Sequence, residues 1–299
     1  MESSNLHEDL STPEINGQTQ VLAVYGCPVE HSLSPAMHNA AIAILRLHYI
    51  YIPFSVQPSE LRSAVQSIRS LCIRGVNLTV PHKESVLAYL DWISPEANAV
   101  GAVNTIHNEN GCLRGYNTDG YGFMQPLTDD GISVQGKRAL VLGAGGAARS
   151  VVYRLAMDGA EVLIANRTVD RARALAQSVN EFIGAERVKW IGYDESARLA
   201  NAAAEAELIV NATSMGMHPD VANMPPIPLS SFHPRQIVYD LIYNPAETLL
   251  LTEARKAGAD TRNGLNMLAY QGAEAFRIWT GISPPVERML EALKRKLYS

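Results

Sequence analysis

Residues 137–171 read KRALVLGAGGAARSVVYRLAMDGAEVLIANRTVDR. An apolar run, Ala139 to Leu142, opens the stretch and reads as a buried strand. A glycine-rich turn follows, Gly143-Ala144-Gly145-Gly146-Ala147-Ala148. A helical segment then runs from Arg149 to Met157, Gly159 stops it, and a second apolar run spans Val162 to Ala165. Strand, glycine turn, helix and strand in this order form the first unit of a dinucleotide-binding fold. Gly143 allows the tight turn. Gly145 lets the backbone approach a pyrophosphate, which then sits on the free N–H groups of the helix start. Ala148 stands at the third glycine position, where a small residue still lets helix pack on strand. An ordinary βα turn is the plainer alternative, and the βαβ context argues against it.

The end of the second strand bears on the cofactor. Folds that take NAD place an acid there to hold the ribose 2′-hydroxyl. Here the strand ends in Asn166-Arg167-Thr168, with Arg171 one turn on and Asp170 as the nearest acid. Two arginines and a hydroxyl suit a 2′-phosphate, because guanidinium binds phosphate through charge-assisted, often bidentate hydrogen bonds. NADP is therefore favoured over NAD, against the alternative that the two arginines are only a solvated helix face.

With 299 residues, the chain has room for one large or two modest domains. It is 47% hydrophobic and 18% charged, which supports a full core and argues against global disorder. Of the net charge of −5, four units come from Glu2, Glu8, Asp9 and Glu14, so the remainder is near neutral. Neither a nucleic-acid surface nor a membrane surface is expected. Residues 1–19 read as a disordered acidic tail without the features of a signal or transit peptide. Cys27, Cys72 and Cys112 are odd in number and widely spaced, which fits a reducing compartment rather than a disulfide framework. A cytoplasmic location follows, and no metal site is expected.

Before the glycine turn, the spacing predicts strands over Val21–Tyr25, Tyr49–Val56 and Gly75–Val80, with helices over Pro35–Arg46 and Pro58–Ser70 between them. This β-α-β-α order implies parallel pairing in a small α/β sheet. Ligands collect beyond the carboxyl ends of such strands. Ser32, Ser34, Thr79, His82 and Lys83 all lie there. Ser34 before Pro35 reads as a helix N-cap, whereas Ser32 has no capping duty. Lys83 alone reads as a solvated loop lysine, and His82 as a local cap. Trp92–Ala99 is predicted as a loop or short helix. A strand over Val100–Ile106 is expected to pair with Cys112–Tyr116 across the Asn110-Gly111 turn. Asn117-Thr118-Asp119 is a capping pattern, with Asp119 as the N-cap.

After the glycine turn, the alternation continues with a helix over Thr168–Asn180 and a strand near Val188. A helix near Asp194 and strands over Glu207–Val210 and Gln236–Ile242 come next. Helices over Thr248–Ala257, Gly264–Trp279 and Pro285–Lys296 complete the chain.

Nine blocks carry a family resemblance: GCPVEHSLSP, NLTVPHK, GAVNT, NTDGYG, GAGGAAR, NRTVDR, NATSMG, DLIYNP and GLNMLAYQG. In this order, from about residue 20 onward, they resemble the shikimate dehydrogenases. The resemblance implies an α/β fold with an N-terminal α/β substrate domain, a Rossmann-type NADP domain and a cleft between them. Its boundaries would be 1–19 for the tail, 20–120 plus 264–299 for the substrate domain, and 121–263 for the NADP domain. The implied reaction is reversible NADPH-dependent reduction of 3-dehydroshikimate to shikimate.

Carried over by motif, Lys83 and Asp119 would be the catalytic pair. Ser32 and Ser34 would bind the substrate carboxylate with help from Tyr243. Thr79, Asn104 and Gln271 would bind its hydroxyls. Gly143, Ala144, Gly145, Gly146, Ala147 and Ala148 would hold the pyrophosphate. Asn166, Arg167, Thr168 and Arg171 would hold the 2′-phosphate, with Thr213, Ser214, Leu241 and Gly264 along the cofactor. Leu241 stands where some members have methionine. Hydride transfer at a ring carbon requires one proton moved at the carbinol oxygen, and a lysine beside a carboxylate suits that step. Lys83 could instead mainly orient the substrate.

Two alternatives stay open: a quinate/shikimate dehydrogenase using NAD, and a catalytically silent NADP-binding regulator. The presence of both Lys83 and Asp119 counts against the second. The length points to a monofunctional chain. Oligomeric state is not written in the sequence, and a homodimer is one arrangement it allows.

Overall fold

The computed structural model describes residues 14–298. Most of the predicted acidic tail lies outside the described residues. Within 14–19 the chain makes a turn, with Thr19 N donating to Asn16 O at 3.1 Å.

The first half runs β1 (Gln20–Gly26), α1 (Ser34–Ile44), β2 (Tyr49–Ser55), α2 (Leu61–Ser70), β3 (Gly75–Leu78) and α3 (His82–Ser85). It continues through β4 (Trp92–Ile93), α4 (Pro95–Val100), β5 (Thr105–Glu109), β6 (Cys112–Tyr116) and α5 (Asp119–Asp129). Its six strands form one sheet in the order β2-β1-β3-β5-β6-β4. Strand β1 pairs in parallel with both β2 and β3, whereas β3, β5 and β6 run antiparallel to one another in turn. Along β1, Leu22 and Val24 enter one core and Ala23 and Tyr25 the other, as the two-residue period of a strand requires.

The second half runs β7 (Arg138–Leu142), α6 (Gly146–Met157), β8 (Glu161–Asn166), α7 (Val169–Ile183), β9 (Val188–Gly192) and α8 (Ser196–Glu205). Strands β10 (Leu208–Asn211) and β11 (Ile237–Asp240), α9 (Leu249–Lys256), β12 (Asp260–Arg262), α10 (Leu265–Thr280) and α11 (Val286–Tyr298) follow. Its six strands are all parallel, in the order β12-β11-β10-β7-β8-β9. The chain therefore winds outward from β7 in one direction and from β10 in the other. That switch point is where a doubly wound sheet binds ligands. Ala139 and Val141 pack into the core on one face of this sheet, Leu140 and Leu142 into the core on the other.

Helix α10 ties the halves together. Met267 belongs to a core of the second sheet, whereas Ala269, Ala273, Phe276 and Trp279 belong to a core of the first, with α1 and α11. The Trp279 indole N–H donates to Ile106 O at 2.8 Å, which fixes α10 over β5. Gly122 lets α5 approach α10 closely: a Cβ there would lie 2.7 Å from both Met267 O and Gln271 N.

Several local expectations need correction. The strand expected at Val100–Ile106 begins only at Thr105, because Val100 ends α4 and Gly101 closes that helix in the left-handed region, φ 70°. Ser34 is not the N-cap of α1. Leu33 occupies that position, and Ser34 is buried in the first turn. Ser32 has a local duty after all, since its hydroxyl accepts from Ser34 N at 3.3 Å. Thr118, not Asp119, is the N-cap of α5. His82 caps nothing. It is buried, and its Nε2 bonds Val56 O at 2.8 Å, pinning α3 to the end of β2. The short strands β4 and β12 gave no signal in the sequence, since two or three residues cannot display a period.

Candidate active site

Turns at the carboxyl ends of β1 and β3 meet the second sheet across a cavity of about 310 Å³. His31, Ser32 and Ser34 reach it from the β1–α1 connection and the start of α1. Asn77 and Thr79 come from β3 and its end, Lys83 from α3 and Asp119 from the start of α5. The facing side supplies Ala147 of α6, Leu241 and Tyr243 after β11, and Gly264, Met267 and Gln271 around α10. Lys83 also packs directly on the glycine turn, for a Cβ on Gly146 would lie 3.6 Å from Lys83 Cδ.

The polar centre is a partnered network. Lys83 Nζ donates to Asp119 Oδ2 at 2.6 Å, with the two side chains 19% and 6% exposed. Asp119 stands in the first turn of α5, where the helix dipole favours an anion. Its other oxygen accepts from Asn104 Nδ2 at 2.8 Å. Asn104 is itself fixed, because its Oδ1 accepts from Thr118 N at 2.8 Å and Thr105 Oγ1 at 3.0 Å. Gln271 Oε1 accepts from Asn104 Nδ2 at 3.4 Å. Asn104 therefore lies beneath the cavity wall, against Asp119, while Ser32, Ser34, Thr79, Lys83, Asp119, Tyr243 and Gln271 line the cavity itself. Burial raises the Tyr243 phenol above its ordinary value, so it enters the cavity as a neutral hydroxyl.

Asn77 lines the same cavity, and the sequence reading gave it no role. The signal was present: Asn77 and Thr79 are two residues apart at a strand end, so they share a face. His31 also lines the cavity without having been assigned a role.

The facing side fits a dinucleotide with a 2′-phosphate. Gly143 sits at φ 109°, and a Cβ there would lie 3.0 Å from Ala212 O, so both conformation and space call for glycine. Gly145 is the N-cap of α6, no side chain caps that end, and its missing Cβ would meet nothing within 4 Å. This leaves an open, uncapped helix start suited to a pyrophosphate, with Ala144, Gly146, Ala147 and Ala148 around it. At the end of β8, Asn166 Nδ2 donates to Thr168 O at 2.8 Å and shapes the turn. Asp170 is bound to Arg173 at 2.5 Å. Among the described residues, exposed Arg167 and Arg171 have no carboxylate partner, which leaves two guanidinium groups for a phosphate.

The remaining cofactor candidates hang from one buried knot. Asp240 Oδ2 accepts from Thr248 Oγ1 at 2.7 Å, and its Oδ1 accepts from Asn211 Nδ2 at 3.0 Å. Burial pushes the Asp240 carboxyl up to about 6, against these donors and the Ile242 N–H. Asn211 Oδ1 in turn accepts from Thr213 Oγ1 at 2.7 Å, which sets the loop carrying Thr213 and exposed Ser214. Leu241 follows Asp240 directly. A Cβ on Gly264 would collide with the Leu241 carbonyl oxygen, so only glycine permits this approach.

Comparison with known proteins gives the family. The shikimate dehydrogenase substrate binding domain matches residues 24–106, shikimate / quinate 5-dehydrogenase matches 127–219, and the shikimate 5′-dehydrogenase C-terminal domain matches 264–294. The chain belongs to the shikimate dehydrogenase family. The shikimate dehydrogenase (NADP(+)) of Desulforamulus reducens is 46% identical, over 95% of this chain and 97% of that protein. The enzyme of the same name from Methanothermobacter thermautotrophicus is 45% identical, over 95% and 99%. A solved Thermus thermophilus shikimate 5-dehydrogenase in complex with NADP(H) and shikimate superposes with a TM-score of 0.84, at 43% identity, over 93% of this chain and 100% of that one. A quinate dehydrogenase from Corynebacterium glutamicum in complex with NAD reaches a TM-score of 0.85 at only 31% identity, over 93% and 99%. Among the described residues no helix is long and apolar enough to cross a membrane.

Proposed function

We propose that this chain is an NADP-dependent shikimate dehydrogenase that reversibly reduces 3-dehydroshikimate to shikimate, within aromatic amino-acid biosynthesis. The observation that carries the reading is the Lys83–Asp119 pair, closed at 2.6 Å in a cavity whose facing wall is the dinucleotide side. Ser32, Ser34 and Tyr243 offer hydroxyls to the substrate carboxylate, Thr79 and Gln271 serve its ring hydroxyls, and Asn104 acts from beneath the wall by holding Asp119. NADPH, when bound, supplies the hydride to the ring carbonyl carbon. Lys83, as the ammonium, gives its proton to the carbonyl oxygen, so that hydride and proton together make the carbinol. Asp119 holds that ammonium in direction, and Asn104 holds Asp119.

On the cofactor side, Gly143 to Ala148 take the pyrophosphate, and Asn166, Arg167, Thr168 and Arg171 take the 2′-phosphate. Thr213, Ser214, Leu241 and Gly264 flank the nicotinamide half. The functional division we propose is 20–120 with 264–299 for substrate and 121–263 for cofactor. The family matches at 24–106 and 127–219 are compatible with it. Asp170, the acid nearest the end of β8 in the chain, is tied to Arg173, which weighs against the NAD-using quinate branch. The intact catalytic pair weighs against a silent regulator. A cytoplasmic site of action accords with an odd set of free cysteines, and a homodimer is the assembly to look for by sedimentation.

Steady-state kinetics with shikimate and quinate, each with NADP+ and NAD+, test the reading. Shikimate with NADP+ should give the highest kcat/KM of the four combinations. A preference for quinate with NAD+ would refute it.

A further inference from the structure

We propose that Tyr51, which does not line the cavity, is a positioning residue that sets the active-site amides through Asn77. This deepens the shikimate dehydrogenase reading and rests on it.

Asn77 is an amide with two N–H donors and an acceptor oxygen, and at 6% exposure it must satisfy them locally. Its Nδ2 donates to the Asn104 main-chain oxygen at 3.2 Å and to Thr105 Oγ1 at 3.1 Å. Its Oδ1 accepts from the Tyr51 hydroxyl at 2.8 Å. The Asn104 carbonyl can only accept, so it sets which end of the amide faces it, and the Tyr51 hydroxyl supplies the donor that the buried oxygen at the other end needs. Without it, that oxygen loses its buried donor, and the amide can regain one only by turning away from the Asn104 carbonyl and Thr105. From Asn77 the contacts run on to Asn104, from Asn104 Nδ2 to Asp119 at 2.8 Å, and from Asp119 to Lys83 at 2.6 Å. Every step from the phenol to the ammonium is made.

The phenol is itself held on several sides. Main-chain groups of Tyr51 exchange two 2.9 Å hydrogen bonds with the Asn39 amide, which locks β2 to α1. The ring stacks on His38 with centroids 4.2 Å apart and planes 10° apart, and Trp279 of α10 lies 6.2 Å away. His38 is fully buried beside the Asn77 side chain, and burial drops it to about 3, so it stands as a neutral ring rather than as an acid or base. Elements α1 and α10 thus hold the hydroxyl against the Asn77 amide, with the Ser34 side chain of α1 also beside it. A phenylalanine would satisfy the packing equally well, so what the packing leaves unexplained is the hydroxyl.

The test is a double-mutant cycle on the full-length enzyme, using Tyr51→Phe, Asn77→Ala and the double variant. Each is assayed with shikimate and NADP+ at a temperature where melting curves show it folded. Tyr51→Phe should lower kcat/KM for shikimate about tenfold and leave KM for NADP+ within twofold. In the Asn77→Ala background the same substitution should change kcat/KM by less than twofold, because the amide it orients is gone. Wild-type activity in Tyr51→Phe, or a tenfold loss that persists in the Asn77→Ala background, would overturn the proposal. A Tyr51→Phe enzyme that melts below every assay temperature would give the hydroxyl a purely structural role and would likewise overturn the proposal. A wild-type enzyme inactive on shikimate would instead refute the functional reading, so the two failures are distinct.

Discussion

Lys83 Nζ lies 2.6 Å from Asp119 Oδ2, although the two residues are 36 positions apart in the chain. One stands just beyond β3 and the other opens α5. The pair is the point at which the first sheet meets the glycine turn of the second, and it is where the proposed function puts the proton.

Replacing Lys83 tests that role. Lys83→Ala removes the proposed proton carrier and leaves the buried Asp119 carboxylate without its cation. General acid–base groups contribute about 10²–10⁴-fold, so kcat should fall by that order with only a modest change in KM. Stopped-flow or steady-state assays of purified enzyme would measure it. Turnover within a few-fold of wild type would remove Lys83 from the chemistry.

The Arg167 guanidinium tests the cofactor assignment. It is exposed and has no carboxylate partner among the described residues. A charge-assisted contact to phosphate contributes about 1.5–3 kcal/mol, so Arg167→Ala should raise KM for NADP+ by roughly ten- to a hundredfold. KM for NAD+, which lacks that phosphate, should move little. Equal changes for both cofactors would place Arg167 away from the 2′-phosphate.

Much of this site was legible because it lies in short contiguous runs. The glycine turn, NRTVDR and NLTVPHK each keep their residues within one strand-to-helix junction, where spacing fixes the direction of side chains. What escaped was long-range. Nothing local in the sequence says that Tyr51 bonds Asn77 or that Asn104 spends its amide on Asp119, since the first contact joins β2 to β3 and the second joins the residue before β5 to the start of α5. Ser34 and Asp119 were misread as caps for a related reason. Both are polar residues at a helix start, but in the shared cavity Asp119 pairs with Lys83 and the Ser34 side chain lies against Tyr51. The strand at Val100–Ile106 failed because an apolar run of that length serves a helix end as well as a strand, and Gly101 settled it as a cap.

His38 gives the fold a pH signature. Its imidazole is fully buried, and desolvation lowers it from 6.5 to about 3. The unfolded chain therefore takes up a proton near pH 6.5 that the folded protein refuses until about pH 3. The His38 contribution is fully present above pH 6.5 and is lost progressively as the pH falls through that window. Between pH 6.5 and about 5 it amounts to about 2 kcal/mol. His38→Phe keeps an aromatic plate on Tyr51 and cannot titrate. Denaturant melts should show wild type losing that much more stability than His38→Phe over this range. Parallel curves for the two proteins would mean that His38 is protonated in the folded state.

The most direct test is the initial rate of NADPH formation by the purified wild-type chain with shikimate and NADP+. The account predicts turnover that requires both substrates, with kcat/KM higher than for shikimate with NAD+ or for quinate with either cofactor. No NADPH formed from shikimate, under conditions where the chain is folded and binds NADP+, would contradict it.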